Sequence, residues 1–128
     1  MKQHLLVVDD EESIRELLSS YFKKHGYNVT TAATPAEAIE IANQRQIHLI
    51  VLDLALADAD GLELLELLKK NHPNLPIVIL TGMGFDEELF QEAREKGASA
   101  YISKNLPIDQ LLMEVVRNLK YQGKQPQS

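Results

Sequence analysis

The stretch HLLVVDD, residues 4–10, is the strongest indication of the architecture, because a short apolar run ends directly in two carboxylates. The same arrangement recurs in IHLIVLD (47–53), IVILT (77–81) and YISK (101–104), where each apolar run ends in an acid, a hydroxyl or an amine. Short apolar runs of this kind favour strands buried in a parallel sheet, and such sheets bind ligands beyond the carboxyl ends of their strands. The polar side chains that we therefore expect to meet at one edge are Asp9, Asp10, Asp53, Thr81 and Lys104.

Amphipathic helical patterns lie between these runs. Ile14, Leu17, Leu18 and Tyr21 recur at the spacing i, i+3, i+4, i+7, which predicts a helix. Gly26 follows this pattern and suits the left-handed residue that commonly ends a helix.

Two further helices have recognisable start signals. Thr34 is placed to cap a helix, with Pro35 at the first helical position and Glu37 completing a capping box. Asp60 is expected to cap a helix over residues 62–71.

An alternating edge strand at residues 27–31, a charged helix over 86–96 and a last helix over 108–119 complete five strand–helix units. The alternation predicts an α/β fold, a doubly wound (βα)5 unit with a parallel sheet and helices on both faces. We expect one domain over residues 1–121, followed by a polar tail at 122–128.

The composition excludes several classes of function. The 128 residues carry a net charge of −6, which disfavours a nucleic-acid-binding domain and provides no basic patch for an anionic membrane. The absence of cysteine excludes disulfides and thiolate metal sites. No run approaches the roughly 18 apolar residues of a membrane span, and the first run is too short for a signal peptide, so we expect a cytoplasmic location.

The acidic cluster suits a divalent cation and a phosphoryl group. Two carboxylates about 4 Å apart repel by ~4 kcal/mol at an effective dielectric of about 20, so a cluster of Asp9, Asp10 and Asp53 must protonate, stay apart or hold a cation. Oxygen ligands without thiolates favour Mg²⁺ or Mn²⁺. Asp53 could then attack a phosphoryl group to give an acyl phosphate, with Thr81 and Lys104 stabilising the charge on its oxygens.

Each of these residues also has an ordinary structural interpretation. Paired aspartates after a strand commonly cap the next helix, and Asp53 alone could be a turn residue. A single Thr or Lys at a strand end is usually structural or solvated. Their joint occurrence at four strand ends favours a functional site.

The chain resembles the receiver domain of bacterial two-component response regulators over residues 3–121. The matching motifs are LVVDDEE (6–12), IVLDL (50–54) with Gly61 beyond it, ILTG (79–82) and GASAYISK (97–104). The resemblance implies a flavodoxin-like sheet with strand order 2-1-3-4-5. It also implies a phosphoacceptor that assists its own phosphoryl transfer and dephosphorylation, rather than an enzyme.

The resemblance assigns roles to individual residues. Asp53 would accept a phosphoryl group from a sensor histidine kinase or a phosphotransfer protein. Mg²⁺ would be bound by Asp10 directly, by Asp9, often through water, by Asp53, and by the backbone carbonyl of Ala55.

Further roles concern the response to phosphorylation. Thr81 and Lys104 would contact the phosphoryl group, and Tyr101 matches the switch aromatic residue of the family. The face formed by helix 4, strand 5 and helix 5 would act on a downstream effector or an output domain, and it could support a homodimer.

Two positions depart from the family pattern. Ala57 and Asn105 stand where the family usually has proline, which implies a more mobile loop at Ala57 and either a trans or a strained cis peptide at Lys104–Asn105. Ala55 and Met83, which would border the path of an attacking water, cannot bind it strongly. We therefore expect slow self-dephosphorylation.

Three alternatives remain from the sequence. A phosphohydrolase with an aspartate nucleophile would normally need a second acid where Ala55 stands. A flavin-binding protein of the same architecture would have a loop rich in Ser, Thr and Gly in place of residues 9–12. A receiver-like module that binds partners without phosphorylation is the third.

Overall fold

Five strands alternate with five helices in the computed structural model, which describes residues 2–56, 60–82 and 86–123. The strands are β1 (His4–Val8), β2 (Asn28–Ala32), β3 (Leu49–Leu52), β4 (Ile77–Thr81) and β5 (Ala100–Ser103). The helices are α1 (Glu12–Lys24), α2 (Pro35–Gln44), α3 (Gly61–Asn71), α4 (Glu87–Glu95) and α5 (Ile108–Gly123).

The strands form one parallel sheet in the order β2-β1-β3-β4-β5, which confirms the predicted doubly wound fold. Every residue of β3 and β4 is buried, as their nearly continuous apolar sequences predict. The edge strand β2 is only partly buried, in keeping with its alternating sequence. The chain reverses its direction across the sheet between β1 and β3, and such reversals create a crevice at the carboxyl edge.

Two apolar cores cover the two faces of the sheet. Alternate residues of β1, such as Leu6 and Val8, face a core closed by α2, α3 and α4. The residues between them, Leu5 and Val7, face a second core closed by α1 and α5, in which Phe22 is fully buried. Each such side chain contributes about 1.5–3 kcal/mol relative to exposure, so the two cores hold the strand ends in place.

The helix ends predicted from sequence are confirmed. The Thr34 hydroxyl accepts a hydrogen bond from the Glu37 N–H at 3.2 Å, and the Glu37 carboxylate reaches back to the N–H of Ala33 at 2.8 Å. Asp60 caps α3 by accepting from the N–H of Leu62 at 2.9 Å.

Several element boundaries differ from those expected, and β2 and α4, for example, each differ by one residue at both ends. β3 begins at Leu49 instead of Ile47, because its pairing with β1 starts where Leu5 lies opposite Leu49. α5 continues to Gly123, beyond the expected helix end at residue 119, since no glycine or proline occurs between these positions. The rest of the expected tail, 124–128, lies outside the described residues.

The two departures from the family pattern have different outcomes. No peptide bond within the described parts of the chain is cis, so the Lys104–Asn105 bond is trans. The N–H of Asn105 donates instead to the Ser103 hydroxyl at 3.1 Å, closing a short turn. Ala57 and Met83 lie outside the described residues.

Among the described helices, none combines the length and the apolar character needed to cross a lipid bilayer.

Gly61 permits a close approach between the start of α3 and the loop that follows β3. A Cβ at this position would lie 2.5 Å from the Cα and the carbonyl oxygen of Leu54, far inside van der Waals contact. The N–H of Gly61 donates to that same carbonyl at 3.2 Å. Because Leu54 directly follows Asp53, this contact fixes the loop that carries the central carboxylate.

We predict that Gly61→Ala lowers the free energy of unfolding by about 1–3 kcal/mol, because the added methyl group forces two backbone segments apart. Urea unfolding followed by circular dichroism measures the change. Gly82→Ala is a matched control, because its Cβ would make only an ordinary 3.5 Å contact with the Lys104 side chain. Equal stabilities of the two variants would contradict the prediction.

His4 belongs to a hydrogen-bonded group at the opposite, amino edge of the sheet. Its Nε2 lies 2.6 Å from the Thr30 hydroxyl, which also accepts from Arg45 at 3.2 Å. Its backbone N–H donates to Nδ1 of His48 at 2.9 Å. Burial lowers the pKa of His4, and the nearby Arg45 and His48 lower it further.

The lowered pKa of His4 predicts a pH-dependent stability. Below its ordinary value of 6.5 the unfolded chain binds a proton at His4 more readily than the folded chain does. The contribution of His4 to the free energy of unfolding is therefore complete above that pH and is lost as the pH falls through the folded-state pKa. We expect His4→Gln to flatten the dependence of chemical unfolding on pH below about 6.5. A slope identical to that of the parent protein would exclude this contribution.

Candidate functional site

The sheet brings the predicted polar side chains to one edge. Backbone pairing continues one residue past the strands: the N–H of Asp53 donates to the Val8 carbonyl at 2.9 Å, and that of Lys104 donates to the Thr81 carbonyl at 2.7 Å. These bonds place the residue after β3 beside the end of β1, and the residue after β5 beside the end of β4. The convergence expected from the four apolar runs is therefore observed.

Lys104 is the centre of this group of side chains. Its ammonium lies 2.9 Å from Oδ2 of Asp9, 3.0 Å from Oε1 of Glu11 and 3.2 Å from Oδ2 of Asp53. Burial by itself lowers the pKa of the Lys104 ammonium. The hydrogen bonds to Asp9 and Glu11 and the charge of Asp53 outweigh this effect and raise the pKa above its usual range. The side chain is therefore a permanent cation among three carboxylates.

Asp9 is buried and is bound at both of its carboxylate oxygens. Oδ1 accepts the N–H of Glu11 at 2.9 Å, while Oδ2 faces Lys104. Burial raises the pKa of Asp9 despite these two opposing bonds, and the charge of Asp53 acts in the same direction as burial. A second cation near this carboxylate would favour its charged form.

The helix-cap interpretation of the paired aspartates is not supported. The N-cap residue of α1 is Glu11, and its side chain makes no capping hydrogen bond. Asp9 binds the N–H of this cap residue, before the first turn of the helix. Its carboxylate is therefore directed into the edge of the sheet.

Asp53 is also buried, with a side chain only 3% exposed. Its Oδ1 accepts the N–H of Ala55 at 3.0 Å, and its Oδ2 is the oxygen that faces Lys104. Thr81 is fully buried at the end of the neighbouring strand β4. A carboxylate, a hydroxyl and an ammonium on adjacent strands form a surrounding suited to the oxygens of a phosphoryl group.

Four carboxylates in this region could hold a metal ion. Asp9, Asp10, Glu11 and Asp53 each offer one oxygen, and these oxygens all lie within 4.8 Å of one another. A set consisting only of carboxylate oxygens fits Mg²⁺, which is held by a few carboxylates and retains several waters. The structure thus brings together the three aspartates expected from the sequence.

Tyr101 is a residue of β5 that lies away from the carboxylates, with its ring directed toward α4. Its ring packs edge-on against Phe90, with centroids 5.6 Å apart and planes at 83°. Burial raises the pKa of the Tyr101 hydroxyl, and the negative charge of Asp86 adds to this effect. The ring borders a groove of ≈ 330 Å³ over β5, which is also lined by Arg94 of α4 and Arg117 of α5.

Sequence reasoning missed two residues near the site. Glu11 was assigned no role of its own, although its carboxylate contacts Lys104. Arg15 donates from Nη1 to the backbone carbonyl of Asp9 at 2.7 Å. The run of four acids at residues 9–12 was a signal for Glu11, whereas nothing in the sequence indicated the bond made by Arg15.

Comparison with known proteins gives a consistent result. The family model described as the response regulator receiver domain matches residues 5–116. A putative response regulator NtrX-like protein of Rickettsia conorii is 37% identical over 115 residues, which cover 88% of this chain and 24% of that protein. The chain therefore spans about a quarter of the length of this relative.

Two solved structures are similar over nearly the whole chain. A CheY-like response regulator receiver domain protein from Methanospirillum hungatei superposes with a TM-score of 0.92 and 30% identity, covering 97% of this chain and 98% of that one. A response regulator from Burkholderia pseudomallei, solved with a phosphorylated aspartic acid, a calcium ion and citrate, gives a TM-score of 0.84 and 28% identity, covering 94% of this chain and 70% of that one.

The fold, the site and these comparisons agree with the motifs seen in the sequence. This chain belongs to the response regulator receiver domain family, whose members are signalling domains of two-component systems.

Proposed function

We propose that this domain accepts a phosphoryl group on Asp53 from a phosphohistidine of a sensor histidine kinase or phosphotransfer protein, in the presence of Mg²⁺. The observation that carries the proposal is the 3.2 Å approach of the Lys104 ammonium to the Asp53 carboxylate, at an edge of the sheet that also holds a buried threonine and further acids. The domain is then a phosphoacceptor in signalling.

The transfer step follows from the environment of Asp53. A carboxylate oxygen forms a bond to phosphorus while the bond from phosphorus to the imidazole nitrogen of the donor breaks, and the imidazole leaves with the electron pair. The N–H of Ala55 holds Oδ1 of Asp53 and so fixes the plane of the carboxylate. Lys104 and the Thr81 hydroxyl are placed to stabilise the charge on the oxygens of the transferred group.

The metal site is proposed at the acidic side of the same edge. Asp9, Asp10, Asp53 and the backbone carbonyl of Ala55 would hold Mg²⁺, which when bound would draw negative charge from a phosphoryl oxygen. Burial raises the pKa of Asp9 by more than the contact with Lys104 lowers it, so a further cation at this carboxylate would favour its charged form. The phosphorylated aspartate and the calcium ion of the Burkholderia pseudomallei response regulator support the same assignment for this chain.

The signal is proposed to leave the domain through the face formed by α4, β5 and α5. A phosphoryl group adds about −1.5 to −2 charges and strong acceptors, which would draw on Thr81 and Lys104. Thr81 lies opposite Ser103 in the β4–β5 pairing, and Tyr101 packs on the same strand pair against α4. A shift at Thr81 is therefore close enough to change the packing of the Tyr101 ring.

The partner of this face would be a downstream effector, an output domain or a second copy of the domain. The groove beside Tyr101 carries Arg94 and Arg117 together with Glu114, so its lining offers charges of both signs. A groove with charges of both signs suits a protein partner, because complementary charges fix how the partner is aligned on the groove.

We expect Asp53→Asn to abolish incorporation of phosphate from acetyl phosphate and Mg²⁺, because the amide cannot act as the nucleophile. Intact-mass spectrometry measures the gain of one phosphoryl group. Asp109→Asn is the matched control, because this exposed aspartate lies in the first turn of α5 and is not one of the clustered carboxylates. Phosphate incorporation that persists in Asp53→Asn would show that the acceptor is a different residue.

We also propose that the phosphorylated domain decays slowly. The apolar side chain of Ala55, two residues after the acceptor, offers no hydrogen bond to an attacking water. After removal of the donor, phosphorylated Asp53 should persist for minutes when followed by intact mass. Loss of the phosphoryl group within seconds would contradict this expectation without affecting the assignment of Asp53.

A further inference from the structure

We propose that Glu11 is an internal stand-in for the phosphoryl group: its carboxylate holds Lys104 in the resting protein and is displaced when Asp53 is phosphorylated. The inference rests on the proposed phosphorylation of Asp53 and adds a step that regulates it. Glu11 contacts Lys104 and not the reacting atoms, so it is a positioning residue.

The first argument is the number of donors on Lys104. A lysine ammonium has three N–H groups. In this structure three carboxylate oxygens, from Asp9, Glu11 and Asp53, lie within 2.9–3.2 Å of the nitrogen. A phosphoryl group on Asp53 brings about −1.5 to −2 charges to this ammonium, so its oxygens compete with the carboxylates that already hold Lys104.

The second argument identifies the contact that gives way. The Asp9 side chain is 2% exposed, so a retreat of Lys104 would leave a buried carboxylate without its cation. The Asp53 oxygen that faces Lys104 becomes part of the acyl phosphate and gives its place to the phosphoryl oxygens, so the choice lies between Asp9 and Glu11. The Glu11 side chain is 59% exposed, so its carboxylate turns into water at small cost.

The third argument is that the Glu11 side chain is not required for the local fold. It is the N-cap residue of α1 but makes no side-chain capping bond. Its backbone is held independently, because its N–H donates to Oδ1 of Asp9. The carboxylate instead bridges to Lys104, 93 residues away in the chain, and so links the loop after β1 with the loop after β5.

Two consequences follow for phosphorylation. The Glu11 carboxylate competes with the phosphoryl oxygens for Lys104, and its charge repels an incoming anion. Replacing it with an amide of the same size removes both effects. We expect Glu11→Gln to be phosphorylated about two- to fivefold faster by acetyl phosphate, the range that corresponds to loss of an ion pair with one exposed partner.

The rates should be compared at saturating Mg²⁺, established by titration for each protein, because Glu11 is also one of the four neighbouring carboxylates. Glu12→Gln is the matched control, since it makes the same change of charge at the adjacent exposed residue, in the first turn of α1. The control should be phosphorylated at the parent rate. Equal acceleration in both variants, or none in Glu11→Gln, would overturn the proposal.

A second measurement tests the ion pair without metal or phosphate. The ¹⁵N resonance of the Lys104 ammonium, assigned with Lys104→Arg, should shift in metal-free Glu11→Gln and not in Glu12→Gln. After phosphorylation the resonances of the parent protein and of Glu11→Gln should coincide, because the Glu11 carboxylate has left Lys104 in the parent protein and is absent from the variant. A difference that survives phosphorylation would show that Glu11 is not displaced.

The two proposals fail in different ways. If the parent protein takes up no phosphate, the proposed function is wrong. If the parent protein is phosphorylated while Glu11→Gln behaves as Glu12→Gln does, only the role of Glu11 is wrong.

Discussion

The pairing of one ammonium with two buried carboxylates is the interaction on which the polar edge of this domain depends. Asp9 and Asp53 follow adjacent strands and would repel each other in a region with little water. Lys104 reaches them from the far side of the sheet and provides the compensating charge. The cores on both faces of the sheet offset the cost of burying these groups, because they fix the strand ends that carry them.

This dependence explains why the site and the fold are specified together. The residue after β3 and the residue after β5 are aligned by the same backbone bonds that extend the sheet. A slip of one residue in either strand would turn the apolar side chains to the wrong face and would also withdraw Asp53 or Lys104 from the edge. The pattern that builds the cores therefore also assembles the charges.

The fold and most of the site follow from local features of the sequence. Apolar runs that end in Asp53 or Lys104 establish both the strands and the edge at which they terminate, and Thr34 and Asp60 mark their helices through capping bonds that involve only nearby residues. Contacts between distant segments could not be predicted from such local features. The bond from Lys104 to Glu11 depends on how two loops approach each other, which no periodicity encodes. The bond of His4 with Thr30 is of the same kind.

The close contact between Gly61 and Leu54 couples the loop that follows Asp53 to the start of α3. The N–H of Gly61 donates to the Leu54 carbonyl at 3.2 Å, and the two backbones lie too close together for a side chain at residue 61. Any movement of Asp53 toward α3 would therefore have to carry the start of that helix with it or break this contact, which ties the position of the aspartate to a helix of the apolar core.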